Sequence, residues 1–205
     1  MYIPPAFRMT DESEMRSVMR TYDFALVLVP GMPDLAATHI PLKLADERQV
    51  LIGHVAAANP MAEAIRQGKE AIAVFSGPHA YVSPNWYAHE GLVPTWNYAA
   101  VHLHGKPRAV EDEAGAIAVL DALVSTFESD KTGNWSTGDL PDGMLSRQIK
   151  GIVALEMPVE KIEIKLKMSQ NRQPDDIKGV IRALEDSAVE DDRATAEMMK
   201  ELNGG

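Results

Sequence analysis

Short apolar runs and alternating segments dominate the hydrophobic pattern of this chain. Phe24 to Val29 is an uninterrupted apolar run, and its length is typical of a buried strand. Further strands are predicted in four segments: 36–44, 50–55, 70–76 and 152–157. Beyond Pro158 the residues alternate, which predicts another strand with Glu163, Lys165 and Lys167 directed outward and Ile162, Ile164, Leu166 and Met168 directed inward.

Segments with a helical period fall between or after these strands. Met15, Val18 and Met19 form an apolar stripe, and Asn59-Pro60 predicts the N-cap and first residue of a second helix. Three more helices are predicted, at residues 111–129, at residues 144–150 and from residue 174 onward. In the first of these, the residues expected to face the core are Ile117, Leu120, Leu123, Val124 and Phe127. Because β-α-β alternation is lacking, the pattern favours an antiparallel barrel over a doubly wound sheet.

Aromatic residues concentrate between residues 76 and 110. This stretch contains two of the three tryptophans, three of the five tyrosines and four of the six histidines. Its prolines exclude a regular helix in the first half and predict a rigid loop. After Pro94 the chain alternates, so Asn97, Ala99, Val101 and Leu103 face one way and Trp96, Tyr98, Ala100, His102 and His104 the other. The stretch suits a planar polar ligand, although a loop that plugs a barrel end or an interface has the same composition.

Two other segments carry candidate chemistry. His54 lies in a strand that leads through three alanines to the helix at Asn59, and a helix N-terminus offers N–H groups to an anion. The alternative is an ordinary strand-to-helix connection. A polar cluster lies where the last strand ends: Lys167, Ser169, Gln170, Asn171 and Arg172. These side chains could reach a ligand or a partner subunit. The alternative is that they form a solvated strand end.

Composition excludes several classes of protein. A net charge of −10 disfavours a large nucleic-acid or membrane surface, and no segment approaches the roughly 18 apolar residues of a transmembrane helix. Without cysteine there are no disulfides or thiolate metal sites, and the N-terminus lacks a secretory signal, so we expect a cytoplasmic protein. His102-x-His104 lacks a third ligand in its strand, so no metal is predicted. P-loop, GxGxxG and GxSxG motifs are absent.

Several long segments of unusual composition cover nearly the whole chain: MYIPPAF, ATHIPL, GHVAAANP, GPHAYVSPNWY, TWNYAAVHLHG, KGIVALE and KLKMSQNR. In their order and spacing these segments resemble the PaiB-like family of FMN-binding proteins. The resemblance implies an α+β split β-barrel of the pyridoxamine-phosphate-oxidase and flavin-reductase type, spanning residues 1–172, with a C-terminal helical extension at 173–205. It also implies a homodimer that holds FMN between its two chains.

The resemblance further implies which residues bind the cofactor. The phosphate would be held by residues of the second and third strands and the following helix, namely Thr38, His39, His54, Ala58 and Asn59, together with Lys167. The isoalloxazine ring would lie near Trp96, Asn97 and Tyr98, and Gln170 and Asn171 would close the cleft from the partner chain.

Members of this family are described as negative transcriptional regulators, so a DNA or protein partner is implied. The net negative charge and the lack of a basic helix-turn-helix do not support direct DNA binding. Two other functions fit the same barrel: an FMN-dependent oxidoreductase of unknown substrate, and a haem-binding or haem-degrading protein.

Overall fold

A computed structural model describes residues 1–30, 36–45 and 49–204. In this part of the chain no helix is long and apolar enough to cross a membrane. The strands are β1 (Phe24–Val29), β2 (Ala36–Pro41), β3 (Lys43–Ala45), β4 (Val50–Ala56), β5 (Ala71–Val82), β6 (Thr95–Gly105), β7 (Arg108–Ala109) and β8 (Ile152–Lys167). The α-helices are α1 (Glu12–Thr21), α2 (Pro60–Arg66), α3 (Glu113–Phe127), α4 (Met144–Ile149), α5 (Pro174–Glu185) and α6 (Glu190–Asn203).

The strands follow the order β2-β1-β5-β6-β8-β4-β3, and β7 also pairs with β8. Every pairing with a described register is antiparallel. The longest of them joins β4 to β8, from Val50 opposite Pro158 to Ala56 opposite Ile152. The expected antiparallel arrangement is therefore confirmed for these strand pairs.

The chain forms two compact units. The first unit contains residues 1–22, 76–101 and 163–205, and the second contains residues 23–75 and 102–162. Helices α5 and α6 thus belong to the same unit as the N-terminus and residues 76–101 of the aromatic stretch, whose residues 102–110 belong to the second unit. The boundary expected at residue 172 does not coincide with this division, and the extension beyond it stays a prediction.

Helix α3 packs in the second unit through a face that the sequence predicted only in part, because Leu123 is buried as expected. Its buried residues are Ala116, Val119 and Leu123, which pack with Val50 and Ile52 of β4. Phe127, predicted to face the core, is 42% exposed. Apolar residues almost surround this helix, so periodicity alone could not select the buried face.

Strand β8 continues through Pro158, where the sequence predicted a break. Pro158 lies opposite Val50, the first residue of β4, so the missing proline N–H falls at the end of that ladder. The next residue restores the pairing, because the N–H of Val159 donates to the carbonyl oxygen of Gln49.

Strand β5 is longer than predicted and includes Pro78, so the expected loop begins only after Val82. The alternating burial of β5 is interrupted at Gly77 and Pro78, which are both buried; beyond them His79 and Tyr81 are exposed and Ala80 is buried. Strand β6 has the two faces that the sequence predicted, with its odd-numbered residues from 97 to 103 buried.

We expect Gly179→Ala to destabilise the protein. A Cβ at residue 179 of α5 would lie 2.1 Å from the carbonyl oxygen of Trp86, so one backbone segment would have to move. Such overpacking costs about 1–3 kcal/mol, against a gain of about 1 kcal/mol from the helix propensity of alanine. The measurement is the free energy of unfolding in urea.

The matched control is Gly138→Ala, whose nearest neighbour would be Ser136 Oγ at 3.5 Å, an ordinary contact. A Gly179→Ala protein as stable as this control would contradict the close approach of α5 to Trp86.

Candidate functional site

Three neighbouring rings on the exposed faces of β5 and β6 form a surface in the first unit, which we name the aromatic group: His79, Tyr81 and Trp96. The Tyr81 and Trp96 rings meet edge to face at 5.9 Å, and the His79 ring lies 6.1 Å from that of Trp96. His79 Nδ1 is 3.0 Å from a carboxylate oxygen of Asp191 in α6. Exposed rings held in this way can stack on a planar ligand.

The opposite face of β6 carries a buried polar contact. Asn97, a predicted ring contact, is fully buried, and its Nδ2 donates to Ser169 Oγ at 2.9 Å and lies 3.2 Å from Met199 Sδ. Ser169 has a positive φ of 64°, which is uncommon for a residue with a side chain. Asn97 therefore connects β6 to the end of β8 and to α6.

Lys165 was predicted to point outward, and this prediction is wrong, because the residue is only 8% exposed. Its ammonium group donates to the carbonyl oxygen of Tyr2 at 3.2 Å and lies 4.9 Å from the centre of the Tyr98 ring. A lysine stem can pack along apolar surface, and a ring face attracts the charge at its end. Alternation alone does not reveal either contact.

Lys167 and Arg172 lie in the same unit as Lys165, and both contact aromatic rings. Lys167 Nζ donates to Thr95 Oγ1 at 2.6 Å and to the carbonyl oxygen of Trp96. Arg172 lies 5.3 Å from the centre of the Tyr87 ring. Burial lowers the pKa of Lys167, and the positive charges of Lys165 and Arg172 lower it further. We name Lys165, Lys167 and Arg172 the cationic group.

Gln170, which was predicted to close the cleft, closes a turn of its own chain. Its Oε1 accepts from the N–H of Met168 at 2.7 Å, and its Nε2 donates to the carbonyl oxygen of Leu166 at 2.6 Å. Asn171 is exposed. A contact of Gln170 or Asn171 with the cofactor stays a prediction.

In the second unit the predicted N-cap is confirmed, but the N-terminus of α2 has fewer free donors than the sequence implied. Asn59 Oδ1 accepts from Met61 N–H at 2.9 Å, and the Asn59 carbonyl accepts from Ala62 N–H at 2.8 Å. Pro60 has no N–H. Asn59 Nδ2 donates to Thr38 Oγ1 at 3.2 Å, which brings two predicted site residues together. The backbone donors expected to bind an anion are therefore occupied within the chain.

The remaining predicted residues of the second unit differ in their surroundings. His39 stacks on Phe24 with ring centres 5.8 Å apart, and Ala58 is exposed. His54 is half-buried, and its Nδ1 atom is buried without a hydrogen-bond partner among the described residues. Burial lowers the pKa of His54, so the imidazole is neutral at pH 7. An unpaired buried atom of this kind costs about 1–3 kcal/mol, which a bound ligand could offset.

Solved structures place this fold in a known class. Over 83% of the chain it superposes on 78% of the FAD and haem binding protein from Mycobacterium smegmatis, with a TM-score of 0.63 and 18% identity. Over 78% it superposes on 69% of the flavocytochrome Anf3 from Azotobacter vinelandii, with a TM-score of 0.59 and 16% identity. The fold is a split β-barrel with peripheral helices, as the sequence predicted.

The family follows from the sequence comparisons. Residues 1–161 match the family described as "Putative FMN-binding domain", and the chain belongs to this family. It is 32% identical to protease synthase and sporulation protein PAI 2 of Bacillus subtilis over 98% of this chain and 97% of that protein. It is also 30% identical to the uncharacterized protein AN0679 of Emericella nidulans, with 84% of each chain covered. The predicted family and cofactor, FMN, are confirmed.

The residues on each unit fit a flavin nucleotide chemically. The first unit offers exposed rings for a planar isoalloxazine and cations for a phosphate, and the second offers the unpaired buried nitrogen of His54. Bound FMN would supply hydride or electron transfer, and the chain's exposed rings and polar atoms would supply stacking surfaces and hydrogen bonds.

Sequence reasoning missed Asp176, which anchors the loop after β5. This carboxylate is 2% exposed and accepts from the N–H groups of Ala88 and His89 and from His89 Nδ1, all within 3.0 Å. An acidic residue in the first turn of a helix interacts favourably with the helix dipole, but that position alone does not reveal the contacts with the loop. The burial of the Asp176 carboxyl raises its pKa, but the hydrogen bonds and charge of His89 and the Ala88 N–H outweigh burial and lower it overall.

We expect Asp176→Asn to destabilise the protein at pH 7 and to have a smaller effect in acid. Because the pKa is lower in the folded state, the contribution of Asp176 is present above the unfolded pKa of about 3.9. It is lost as the pH falls through the folded-state value. The measurement is the urea midpoint of both proteins across the acid range.

Asp175→Asn is the matched control, because Asp175 is exposed and its one ion pair with a described residue is to Lys178 at 3.4 Å. Equal effects of the two substitutions at pH 7 would contradict the anchoring role of Asp176.

Proposed function

We propose that this chain acts as a homodimeric FMN-binding regulator whose flavin ring stacks on the aromatic group. The observation that carries the proposal is the exposure of these rings, which is 53% for Trp96 and 45% for Tyr81. Large exposed aromatic surfaces often mark binding sites. Offset or edge-to-face stacking contributes about 0.5–1.5 kcal/mol beyond the area that it buries.

His54 supplies a second contact in this proposal. Its unpaired Nδ1 is neutral at pH 7, so it binds a hydroxyl, carbonyl or phosphate oxygen by a hydrogen bond rather than by charge. Thr38 and Asn59, whose side chains are hydrogen-bonded to each other, are the other cofactor contacts proposed for the second unit. Asn97 is fully buried, so in this proposal it holds β6 in place and does not contact the flavin. Trp96 contacts the isoalloxazine ring instead.

The cofactor lies between two copies of the chain in this proposal, as the family resemblance implies. Exposed apolar side chains in the first unit support an interface there, including Trp96, Tyr81 and Val93, of which Val93 is 64% exposed. Burial of such side chains against a second chain stabilises a dimer by removing apolar surface from water.

A regulatory role rests on the family resemblance and on the relative from Bacillus subtilis, whose name is protease synthase and sporulation protein PAI 2. A net charge of −10 repels the phosphate backbone of DNA, so regulation through a protein partner or a small molecule fits this chain better than direct DNA contact. An FMN-dependent oxidoreductase is the alternative function, and NADPH consumption with FMN present would favour it.

We expect the purified protein to bind FMN and Trp96→Ala to weaken that binding about fivefold, because one stacking contact contributes about 1 kcal/mol. The measurement is quenching of flavin fluorescence, together with the visible spectrum of the freshly purified protein. Trp135→Ala is the matched control, because Trp135 is also exposed, at 41%, but lies in the second unit.

Equal FMN affinity of the two tryptophan variants would refute stacking on the aromatic group. A Soret band on addition of haem, with no flavin binding, would replace the proposal with the haem-binding function that the name of one structural neighbour raises.

We expect no binding to DNA of the chain's own promoter at either low or physiological salt. Direct contact by lysine and arginine would release counterions, so its affinity would fall steeply as salt increases. The measurement is a gel-shift titration at two salt concentrations, with the mass of the protein in solution determined in the same buffers. A shift that disappears as salt increases would establish direct DNA binding.

A further inference from the structure

The second unit contains a cavity of about 250 Å³ that is open to solvent. It lies between the last turn of α2, the start of α3, the end of α4 and the start of β8. None of its lining residues is among the predicted cofactor contacts. The volume corresponds to about eight water molecules at roughly 30 Å³ each, so it suits a small metabolite and is below the range of drug-sized ligands.

Part of the cavity wall is apolar surface that the core leaves uncovered. Val110 and Ile149 pack against the core cluster that contains Val50 and Ile52 of β4, yet both stay only partly buried and line the cavity. Ala154 of β8, a buried member of the same cluster, also lines it. An apolar group bound here would extend the core and remove apolar surface from water.

The wall is preformed, because its segments are bonded to one another. The N–H of Val110, just before α3, donates to the carbonyl oxygen of Ala154 at 2.9 Å. Ser146 Oγ of α4 donates to Glu113 Oε1 at the start of α3. A site whose shape is fixed before binding loses less conformational freedom when a ligand enters.

Exposed charges of both signs line the same cavity without neutralising one another. The side chains of Arg66, Lys150 and Glu111 have no hydrogen bond or ion pair with any described residue. Asp112 differs, because its carboxylate caps α3 by accepting from the N–H of Gly115 at 2.7 Å. The two cations and Glu111 share one cavity but are not paired, so a ligand that carries both a negative and a positive group could bridge them.

We propose that this cavity binds a free α-amino acid with a branched apolar side chain, such as leucine. The carboxylate of the ligand pairs with Arg66 and Lys150, its ammonium group pairs with Glu111, and its side chain covers Val110 and Ile149. The planar fork of an arginine matches the two oxygens of a carboxylate. A ligand with a single charge would leave one side of the charge pattern without a partner. The inference goes beyond the proposed function and does not require flavin.

The test compares three probes on the full-length protein by NMR titration: L-leucine, isocaproate and isoamylamine. Isocaproate is leucine without its ammonium group, and isoamylamine is leucine without its carboxylate, so each analogue keeps one of the two charges. We expect leucine to bind about fivefold more tightly than either analogue, because an exposed ion pair contributes up to about 1 kcal/mol.

Substitutions of the charged residues assign each contact. Arg66→Gln and Lys150→Gln each remove a positive charge, so we expect both to weaken leucine and isocaproate about fivefold and to leave isoamylamine unchanged. Glu111→Gln has the reverse pattern, with weaker binding of leucine and isoamylamine and unchanged binding of isocaproate. Urea midpoints verify that each variant is folded.

Lys69→Gln and Glu160→Gln are the matched controls. Both residues are exposed in the second unit and neither lines the cavity, so we expect wild-type affinities for all three probes.

The pattern of affinities decides the inference. Leucine binding that is tighter than that of both analogues, and weaker in the cavity variants but not in the controls, supports it. Equal affinities for leucine and isocaproate would indicate a site for simple anions and would overturn the assignment to an amino acid. Undetectable leucine binding, or an unchanged leucine affinity in all three cavity variants, also overturns it.

Discussion

The two-residue period of β6 is the constraint on which the proposed site depends. One face of the strand is buried with Asn97, whose amide bonds to Ser169 and contacts Met199. Because side chains alternate, burial of Asn97 obliges Trp96 to face outward. A register shift of one residue would bury Trp96 and expose the amide. The buried hydroxyl of Ser169 would then lose its partner, and a buried polar group without a partner is unfavourable. The exposed aromatic surface is therefore a consequence of the packing behind it.

The charge near the end of β8 is opposite in sign to the net charge of the whole chain. The protein is acidic, yet the residues that end β8 and follow it collect three cations and no carboxylate partner among the described residues. Aromatic rings lie beside all three and take the place of counter-ions in part. Asp176 illustrates the opposite arrangement in the same unit, since its buried carboxylate receives three hydrogen bonds. A compensated charge of this kind stabilises the fold, whereas the three cations depend on neighbouring rings for part of their stabilisation.

The fold was more predictable than the site, because hydrophobic periodicity indicates which residues are buried. It does not indicate which distant residue a side chain contacts. The strand faces of β6 and the buried Met15, Val18 and Met19 of α1 followed directly from the pattern. Helix α3 did not, since its apolar residues surround the axis and only the contact with β4 selects a face. At the start of α2, Asn59 was correctly predicted as the cap, but its side chain occupies a donor that an anion would need.

By itself the sequence determined the family, the antiparallel strand pattern and the place of the aromatic residues, because local alternation and unusual segments are properties of consecutive residues. Only the tertiary structure decided that Lys165 is buried between rings, that Asn97 is inaccessible and that Asp176 binds the loop at His89. These contacts join residues more than sixty positions apart, and no local pattern specifies which distant group a side chain will meet.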